Sequence, residues 1–293
     1  MKAVKKGVKR IITRYFFYVI LFLVLFLNMN NIKMICPICG EPLLSTGKSF
    51  VCTTHHSFDI AKQGYVNLLP VQNKKSLHPG DTREMLNARR NFLNSGIYLP
   101  ICNEVAEKAC ELTKNLENIS MADIGCGEGY YTTAVRSAVN AQDCIGIDIS
   151  KDAVKMACSR SKDIVRAVAT AGRLPITAVF SLISKAEFSR ILKHGGYIIE
   201  VTAGNNHLIE LKEIIYDSVY IQHKQPAYID GDFTEISRTE SSFTFTLNNS
   251  QLKELLLMTP HLWRIKKENR VKLDDIPQLK LTANYWLRVL KKK

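Results

Sequence analysis

Residue types that bind metals crowd one short run of the chain. Cys36 and Cys39 form a C-x2-C pair, Cys52 follows after twelve more residues, and His55 and His56 come just behind it. Two thiolates in a C-x2-C turn can face one ion, and a second pair on the far arm of a hairpin completes a tetrahedron. Gly40, Pro42 and Gly47 supply the bends such a hairpin needs. Three thiolates and one imidazole make a closed, structural Zn2+ site, with no open position for chemistry. Spacing alone leaves His55 and His56 as rival fourth ligands. The plainer alternative, a chance cluster of buried thiols, fits poorly with so many ligands in so short a run. The other five cysteines, at 102, 110, 126, 144 and 158, show no regular spacing. They are expected as free thiols in a reducing, cytoplasmic setting.

A second stretch could do chemistry of another kind. "ISMADIGCGEGYYTTAV" reads as a short buried strand ended by Asp123, then a glycine-rich turn (Gly125, Gly127, Gly129), then a helix from about Tyr130. Glycines are needed where a backbone turns sharply and lets a ligand approach closely. "CIGIDISKDAVKMA" then reads as strand, acid, helix, with Asp148 placed to accept the hydroxyls of a ribose. The spacing is G-x-G-x-G preceded by an acid, not the dinucleotide pattern G-x-G-x-x-G. Glu128 at the helix start would repel a pyrophosphate. The run "DIGCGEG" resembles the methionine-binding turn of class I S-adenosylmethionine-dependent methyltransferases. That cofactor is cationic, so the acids near the turn favour it.

Those sites need elements to hold them. The 293 residues, 46% of them hydrophobic, suffice for one large domain and a small module. The alternation of short apolar strands with helices predicts an α/β fold with a parallel sheet. Formal net charge is +13, and residues 1–33 supply seven of those charges without a single acid. The rest of the chain is only moderately basic, compatible with an RNA partner but not diagnostic of one. The leader also carries an uncharged apolar run from Tyr15 to Leu27. That run is shorter than the roughly 20 residues a spanning helix needs, and no A-x-A-like cleavage site follows it. The preferred expectation is an upstream extension ahead of a start at Met34 or Met29. A membrane tether and a signal peptide are the rivals.

Taken in order, the zinc knot, "FDIAKQGYVNLLP", "PGDTREMLNARRNFLNSGIYLP", "DIGCGEGYYT", "HLIELKEIIYD" and "LLLMTPHLWR" resemble the 23S rRNA (guanine-N1-)-methyltransferases of the RlmA type. The resemblance runs from about Met34 to the C-terminus. It implies a zinc-binding domain over 34–72 and a Rossmann-like methyltransferase domain over 73–293. The implied activity is methyl transfer from S-adenosylmethionine to N1 of a guanine in a 23S rRNA hairpin loop. Carried over residue by residue, zinc falls to Cys36, Cys39, Cys52 and His56, and cofactor contacts to Tyr98, Gly127, Glu128 and His207. Asp123, Gly125 and Asp148 join that set from the local reading. The family also implies a homodimer and no stable membrane partner.

Other residues have two readings each. Arg89 and Arg90 suit phosphate contact or a solvated helix face. Tyr130, Tyr131 and Trp263 could stack on a splayed base or fill the core. The basic run 263–272 reads as a solvated surface before it reads as an RNA groove. No residue is singled out as a general base.

The chain departs from its relatives between Pro175 and Lys185, where the approach to the class's fourth strand is shortened. "ITAVFSLIS" (176–184) is the expected strand. The class runs that strand through the middle of its sheet, so one further reading rests on this shortening and another stands apart from it. One is a catalytically impaired RNA-binding remnant. The other, a methyltransferase acting on a small molecule, sits poorly with the zinc module.

Overall fold

The structure, a computed structural model, describes residues 21–27, 34–69, 80–169, 185–219, 231–263 and 265–293. The expected strand at 176–184 lies outside them, as does the side chain of Trp263.

The small module is a three-stranded antiparallel sheet of β2 (Leu43–Ser45), β3 (Ser49–Cys52) and β4 (Ser57–Asp59). Leu43 faces Cys52 and Phe50 faces Phe58 across its ladders. Three short strands bury little apolar area, so this module depends on more than its own core.

The large sheet has eight strands in the order β10-β11-β9-β1-β6-β7-β8-β5. They are β1 (Leu21–Leu27), β5 (Tyr65–Asn67), β6 (Ile119–Ile124), β7 (Asp143–Asp148), β8 (Val165–Val168), β9 (Tyr197–Ala203), β10 (Phe233–Asn248) and β11 (Gln278–Lys292). Strands β5, β8, β7 and β6 run parallel. Strand β1 is antiparallel to both β6 and β9, so β9 keeps the direction of β6. The hairpin of β10 and β11 closes the far side.

Two results differ from the sequence reading. Tyr65–Asn67, assigned to the zinc domain by the 72/73 boundary, pairs with β8 as the edge strand of the large sheet. Residues 21–27, set aside with the leader, form a strand at the sheet's centre. Apolar pattern alone reports that a segment is buried, not which partner buries it.

Helices α1 (Arg83–Asn94), α2 (Leu99–Thr113), α3 (Tyr130–Val139), α4 (Lys151–Arg160), α5 (Lys185–Ile191), α6 (Ile209–Ile215), α7 (Asn249–Leu257) and α8 (Lys267–Asp274) cover the sheet. Local chemistry sets several starts. Thr82 and Ser150 cap α1 and α4 by accepting the N–H groups of Met85 and Ala153, and Asn248 with Gln251 forms a capping box on α7. Strands β6 and β9 are apolar on successive residues because both faces are covered. Met121 and Ile199 enter the larger core with Phe92, Val105 and Val135, while their neighbours Ala122 and Ile198 enter a second core with Val66, Ile145 and Phe188. Met34, Phe50, Phe58 and Leu68 pack against both this second core and the module's own Cys36, Leu43 and Cys52. The module is therefore seated on the sheet by shared apolar contacts.

All eight cysteines are free thiols. Among the described residues no helix is long and apolar enough to cross a membrane.

Candidate functional site

The zinc ligands come together as the hairpin expectation required. Gly40 N–H donates to the Cys36 carbonyl at 2.9 Å, closing the first knuckle, and His55 N–H donates to the Cys52 carbonyl at 3.0 Å, closing the second. His55 itself takes φ 63°, is exposed, and stands outside the cluster. The ligand atoms of Cys36, Cys39, Cys52 and His56 all lie within 4.8 Å of one another. His56 Nδ1 is 3.7 Å from Cys36 Sγ and 3.4 Å from Cys52 Sγ, and Cys39 Sγ is 3.7 Å from Cys52 Sγ. Tetrahedral zinc bonded to sulfur and imidazole nitrogen has ligand-to-ligand edges of roughly 3.5–3.8 Å. The donor set and its spacing thus fit Zn2+ closely. Thr54 was not foreseen. Its hydroxyl donates to Cys39 Sγ and sits 3.1 Å from Cys52 Sγ. The Thr54 contact pulls the Cys39 thiol down. Burial pushes Cys52 up, but Thr54 and the His56 N–H outweigh it and bring that thiol to about 6. Burial pushes Cys36 the other way, so the pull toward the thiolate, the form that binds metal, falls on Cys39 and Cys52.

The glycine turn sits at the carboxyl end of β6. Gly125, Gly127 and Gly129 have φ of 82°, 54° and 87°, a region that side chains rarely tolerate. A Cβ added at Gly125 or Gly127 would meet nothing within 4 Å, so the turn presents open space through which a ligand can reach its backbone. Asp148, at the end of the adjacent β7, ties the turn down. Its Oδ2 accepts Gly127 N–H at 2.9 Å and its Oδ1 accepts Ser150 N–H at 2.7 Å. Each oxygen keeps a lone pair for a ligand hydroxyl. Gly80 closes over this end of β7, where a Cβ would stand 2.7 Å from Ser150 Cβ.

Two acids differ from the sequence reading of carboxylates turned toward a cation. Asp123 is fully buried, accepts the Thr132 hydroxyl, and is raised to about 6 by burial. It anchors the turn to α3 from below. Glu128 is 1% exposed and its Oε2 accepts Arg90 Nε at 3.2 Å and Arg160 Nε and Nη2 at 3.0 and 2.7 Å. What Glu128 offers a cofactor is its backbone. The same contacts settle the twin arginines of α1. Arg90 also donates to the Met156 carbonyl, while Arg89 pairs with Asp81 and donates to the Met258 carbonyl. Both are clamps between elements. Beneath the turn lies the fully buried Arg166, whose guanidinium fills the space left by two glycines. A Cβ on Gly146 would stand 2.4 Å from Nη1, and one on Gly129 would stand 3.1 Å from Nη2.

The opposite wall comes from α2 and the loop after β9. Tyr98 precedes α2, is 3% exposed, and packs edge-on against Phe92 with ring centres 4.9 Å apart. Its hydroxyl lies 3.4 Å from His207 Nε2. His207 Nδ1 accepts Asn284 N–H, which assigns the ring proton to Nε2. Burial first, then the charges of Lys212 and His261, pull this imidazole down to about 3. His207 is therefore held as a neutral imidazole with Nε2 toward the Tyr98 hydroxyl. Asn284 organises the loop. Its side-chain Oδ1 accepts Asn206 N–H at 3.0 Å, its carbonyl accepts Gly204 N–H at 2.7 Å, and its Nδ2 donates to Glu240. Nothing local in the sequence marks Asn284, which acts across the β9–β11 pairing.

Tyr130 and Tyr131 pack edge-on with ring centres 5.1 Å apart, and Arg160 lies 5.4 Å from the Tyr130 ring centre. The glycine turn, Asp148 and the His207 loop thus occupy the carboxyl ends of β6, β7 and β9. Open α/β sheets bind ligands at these ends. Turn backbone, ribose acceptor and neutral donor fit S-adenosylmethionine.

Two family models match the chain. The RlmA N-terminal zinc ribbon covers residues 34–77, and a methyltransferase domain covers residues 115–172. A Bacillus subtilis protein named as a candidate 23S rRNA (guanine-N1-)-methyltransferase is 30% identical over 267 residues, 85% of this chain and 93% of that protein. The 23S rRNA (guanine(748)-N1)-methyltransferase of Streptomyces fradiae is 30% identical over 240 residues, 78% of this chain and 85% of that protein. A protein of Micromonospora griseorubida, named as a candidate 23S rRNA (guanine-N1-)-methyltransferase, is 34% identical over 201 residues, 60% of this chain and 67% of that protein.

Proposed function

Because the chain belongs to the RlmA-type family of 23S rRNA (guanine-N1-)-methyltransferases, we propose that it transfers a methyl group from S-adenosylmethionine to N1 of a guanine in a 23S rRNA hairpin loop. One observation carries the reading. A Cys3His module with zinc spacing is seated on the same sheet whose strand ends hold the glycine turn and Asp148. A small-molecule methyltransferase has no use for that module.

S-adenosylmethionine supplies an electrophilic methyl group on its sulfonium. The chain supplies position. When the cofactor is bound, the backbone of Gly125, Gly127 and Glu128 would hold its methionine part, Asp148 would accept ribose hydroxyls, and Tyr98 with His207 would close the far wall as uncharged groups. Asp123 holds the turn from below. Guanine N1 lies in a base pair or stack, so the base swings out before it reaches this cleft. Transfer of the methyl to N1 would release the N1 proton to solvent water, and what the chain would contribute is the positioning of the base beside the cofactor. The zinc ribbon, held by Cys36, Cys39, Cys52 and His56, grips the hairpin.

We also infer a homodimer, as the family resemblance implies, and a cytoplasmic location set by the ribosomal substrate. Mapping of N1-methylguanine in 23S rRNA from a deletion strain and its complemented counterpart tests the activity. A modification pattern that does not change refutes it.

A further inference from the structure

We propose that Arg166 is a positioning residue for the cofactor turn: its guanidinium, lodged in the slot left by Gly146 and Gly129, is the buried counter-charge that holds Asp123 ionised beneath that turn. The proposal rests on the S-adenosylmethionine reading of the cleft and adds to it a residue that acts only through Asp123.

Strand register carries the argument. Asp123 on β6 pairs with Gly146 on β7, and Gly146 pairs with Arg166 on β8. The three residues form one row across parallel strands, so the two outer side chains leave the same face, with their backbones about 9.6 Å apart. The middle member has no side chain. Arg166 lies across that gap, where a Cβ on Gly146 would stand 2.4 Å from its Nη1 and 3.2 Å from its Cδ. Any residue but glycine there would block the path from guanidinium to acid. Nη2 reaches Gly129, the residue that begins α3, where a Cβ would stand 3.1 Å away. The same face receives Thr132 of α3, whose hydroxyl donates to Asp123 Oδ2.

Both ends of the row need each other. Arg166 is fully buried, and none of its three guanidinium nitrogens has a hydrogen-bond partner among the described residues. Asp123 is as deeply buried, and its Oδ1 is likewise unpartnered there. A lone charge in a dry interior is strongly destabilising, and two opposite ones in one row offset each other. The start of α3 cannot explain the guanidinium, because a helix N-terminus repels a cation and favours an acid. Ionised Asp123 therefore attracts both Arg166 and α3, and in doing so fixes the turn between β6 and α3. Once protonated it loses both attractions. Among the described residues, the charged or titratable groups around this acid are Arg166 from β8, Asp148 and Cys144 from β7, and Cys126 from the turn. Further out, Arg136 of α3 pairs with Asp163, Cys158 of α4 faces Arg166, and the register partner on β1 is Leu23. Burial raises Asp123 to about 6 against the pull of Thr132 and Arg166, and Asp148 adds to the rise.

Calorimetry of S-adenosylmethionine binding against pH tests the proposal on the full-length protein. Parent affinity is expected to fall below about pH 6, where Asp123 takes up a proton. Arg166→Met should move that fall upward by about one pH unit or more. At pH 7 it should weaken binding by about tenfold, as a loosened support under a binding turn does. Arg166→Lys keeps the charge and should keep the parent's midpoint. A role in packing alone would lower affinity without moving the midpoint. An unmoved midpoint in Arg166→Met, or an equal move in Arg166→Lys, overturns the proposal. Thermal melts of Arg166→Met with Asp123→Asn give a second readout. The double variant should regain most of the stability lost in Arg166→Met, and should fold even where the single variant does not; no recovery overturns the pair. The melts involve no cofactor, so a parent that binds no S-adenosylmethionine refutes the functional reading while the melts still decide the charge pair.

Discussion

Replacing Arg160 by alanine removes the contacts to Glu128 Oε2 at 3.0 and 2.7 Å and leaves only Arg90 Nε at 3.2 Å. Glu128 is 1% exposed, so its charge cannot turn to water. Stripping a buried carboxylate of its partner costs about 3–5 kcal/mol. Here Arg90 remains, and the side chain of Arg160 is itself 22% exposed, so water can enter behind it. A loss of about 2 kcal/mol is expected, including about 0.5 kcal/mol for the cation–π contact with Tyr130. For a chain of this length the unfolding entropy is about 0.6 kcal/mol per degree, so the melting temperature falls by about 3 °C. The burden is the buried charge, so Glu128→Gln should relieve it. In a double-mutant cycle, Arg160→Ala should cost about 1 kcal/mol less when residue 128 is already glutamine. S-adenosylmethionine affinity should drop with stability, because the clamp holds the cofactor turn. Thermal melts and calorimetry read both. If Arg160→Ala melts with the parent protein, or costs the same in either background, the clamp does not exist in solution.

Removal of zinc by a strong chelator, or Cys52→Ser, should abolish one bound Zn2+ per chain and rRNA methylation while leaving cofactor binding; metal analysis that finds zinc retained in Cys52→Ser refutes the ligand set. His207, held near 3, stays neutral in the fold while the unfolded chain takes up a proton below about 6.5. Its contribution is intact above 6.5 and is lost as pH falls toward 3, at up to about 1.4 kcal/mol per pH unit. His207→Gln should therefore flatten the acid limb of stability by one proton, and identical acid limbs would contradict the burial argument. Gly80→Ala combines a φ of 93° with a Cβ 2.7 Å from Ser150 Cβ, and should cost more than 1 kcal/mol, roughly, in stability and loosen cofactor binding; a neutral effect in both assays removes Gly80 from the cleft.

Legibility followed the range of the interaction. The zinc ligands and the glycine turn are local, since each is a fixed spacing on a strand-turn unit, and their types state their chemistry. Asp148 could be placed because a strand end is local too, though its bond to Gly127 N–H was not foreseen. The arginines of α1 were ambiguous because they reach far along the chain, Arg90 to Glu128 38 residues away and Arg89 to the Met258 carbonyl 169 residues away. Thr54 was passed over because a hydroxyl beside thiolates carries no spacing signal. Asn284 acts from β11 on a loop 77 residues earlier, through a pairing no pattern announces. The pairings of Tyr65–Asn67 and Leu21–Leu27 with the large sheet were not foreseen for one reason. A short apolar run declares that it is buried, but the identity of the sheet that buries it is decided elsewhere in the chain.

The position of β1 has a consequence for synthesis on the ribosome. Leu21–Leu27 is made before both of its partners, β6 at residue 119 and β9 at residue 197. At about 5–20 residues per second, the roughly 170 residues between β1 and β9 take on the order of 10–35 s to appear. Both edges of this apolar run stay bare until β6 is made and one stays bare until β9 follows, while the zinc ribbon behind it can already close. Such a chain folds from its edges toward its centre, with high contact order and slow completion. Its yield should therefore depend on the supply of chaperones that shield extended apolar segments.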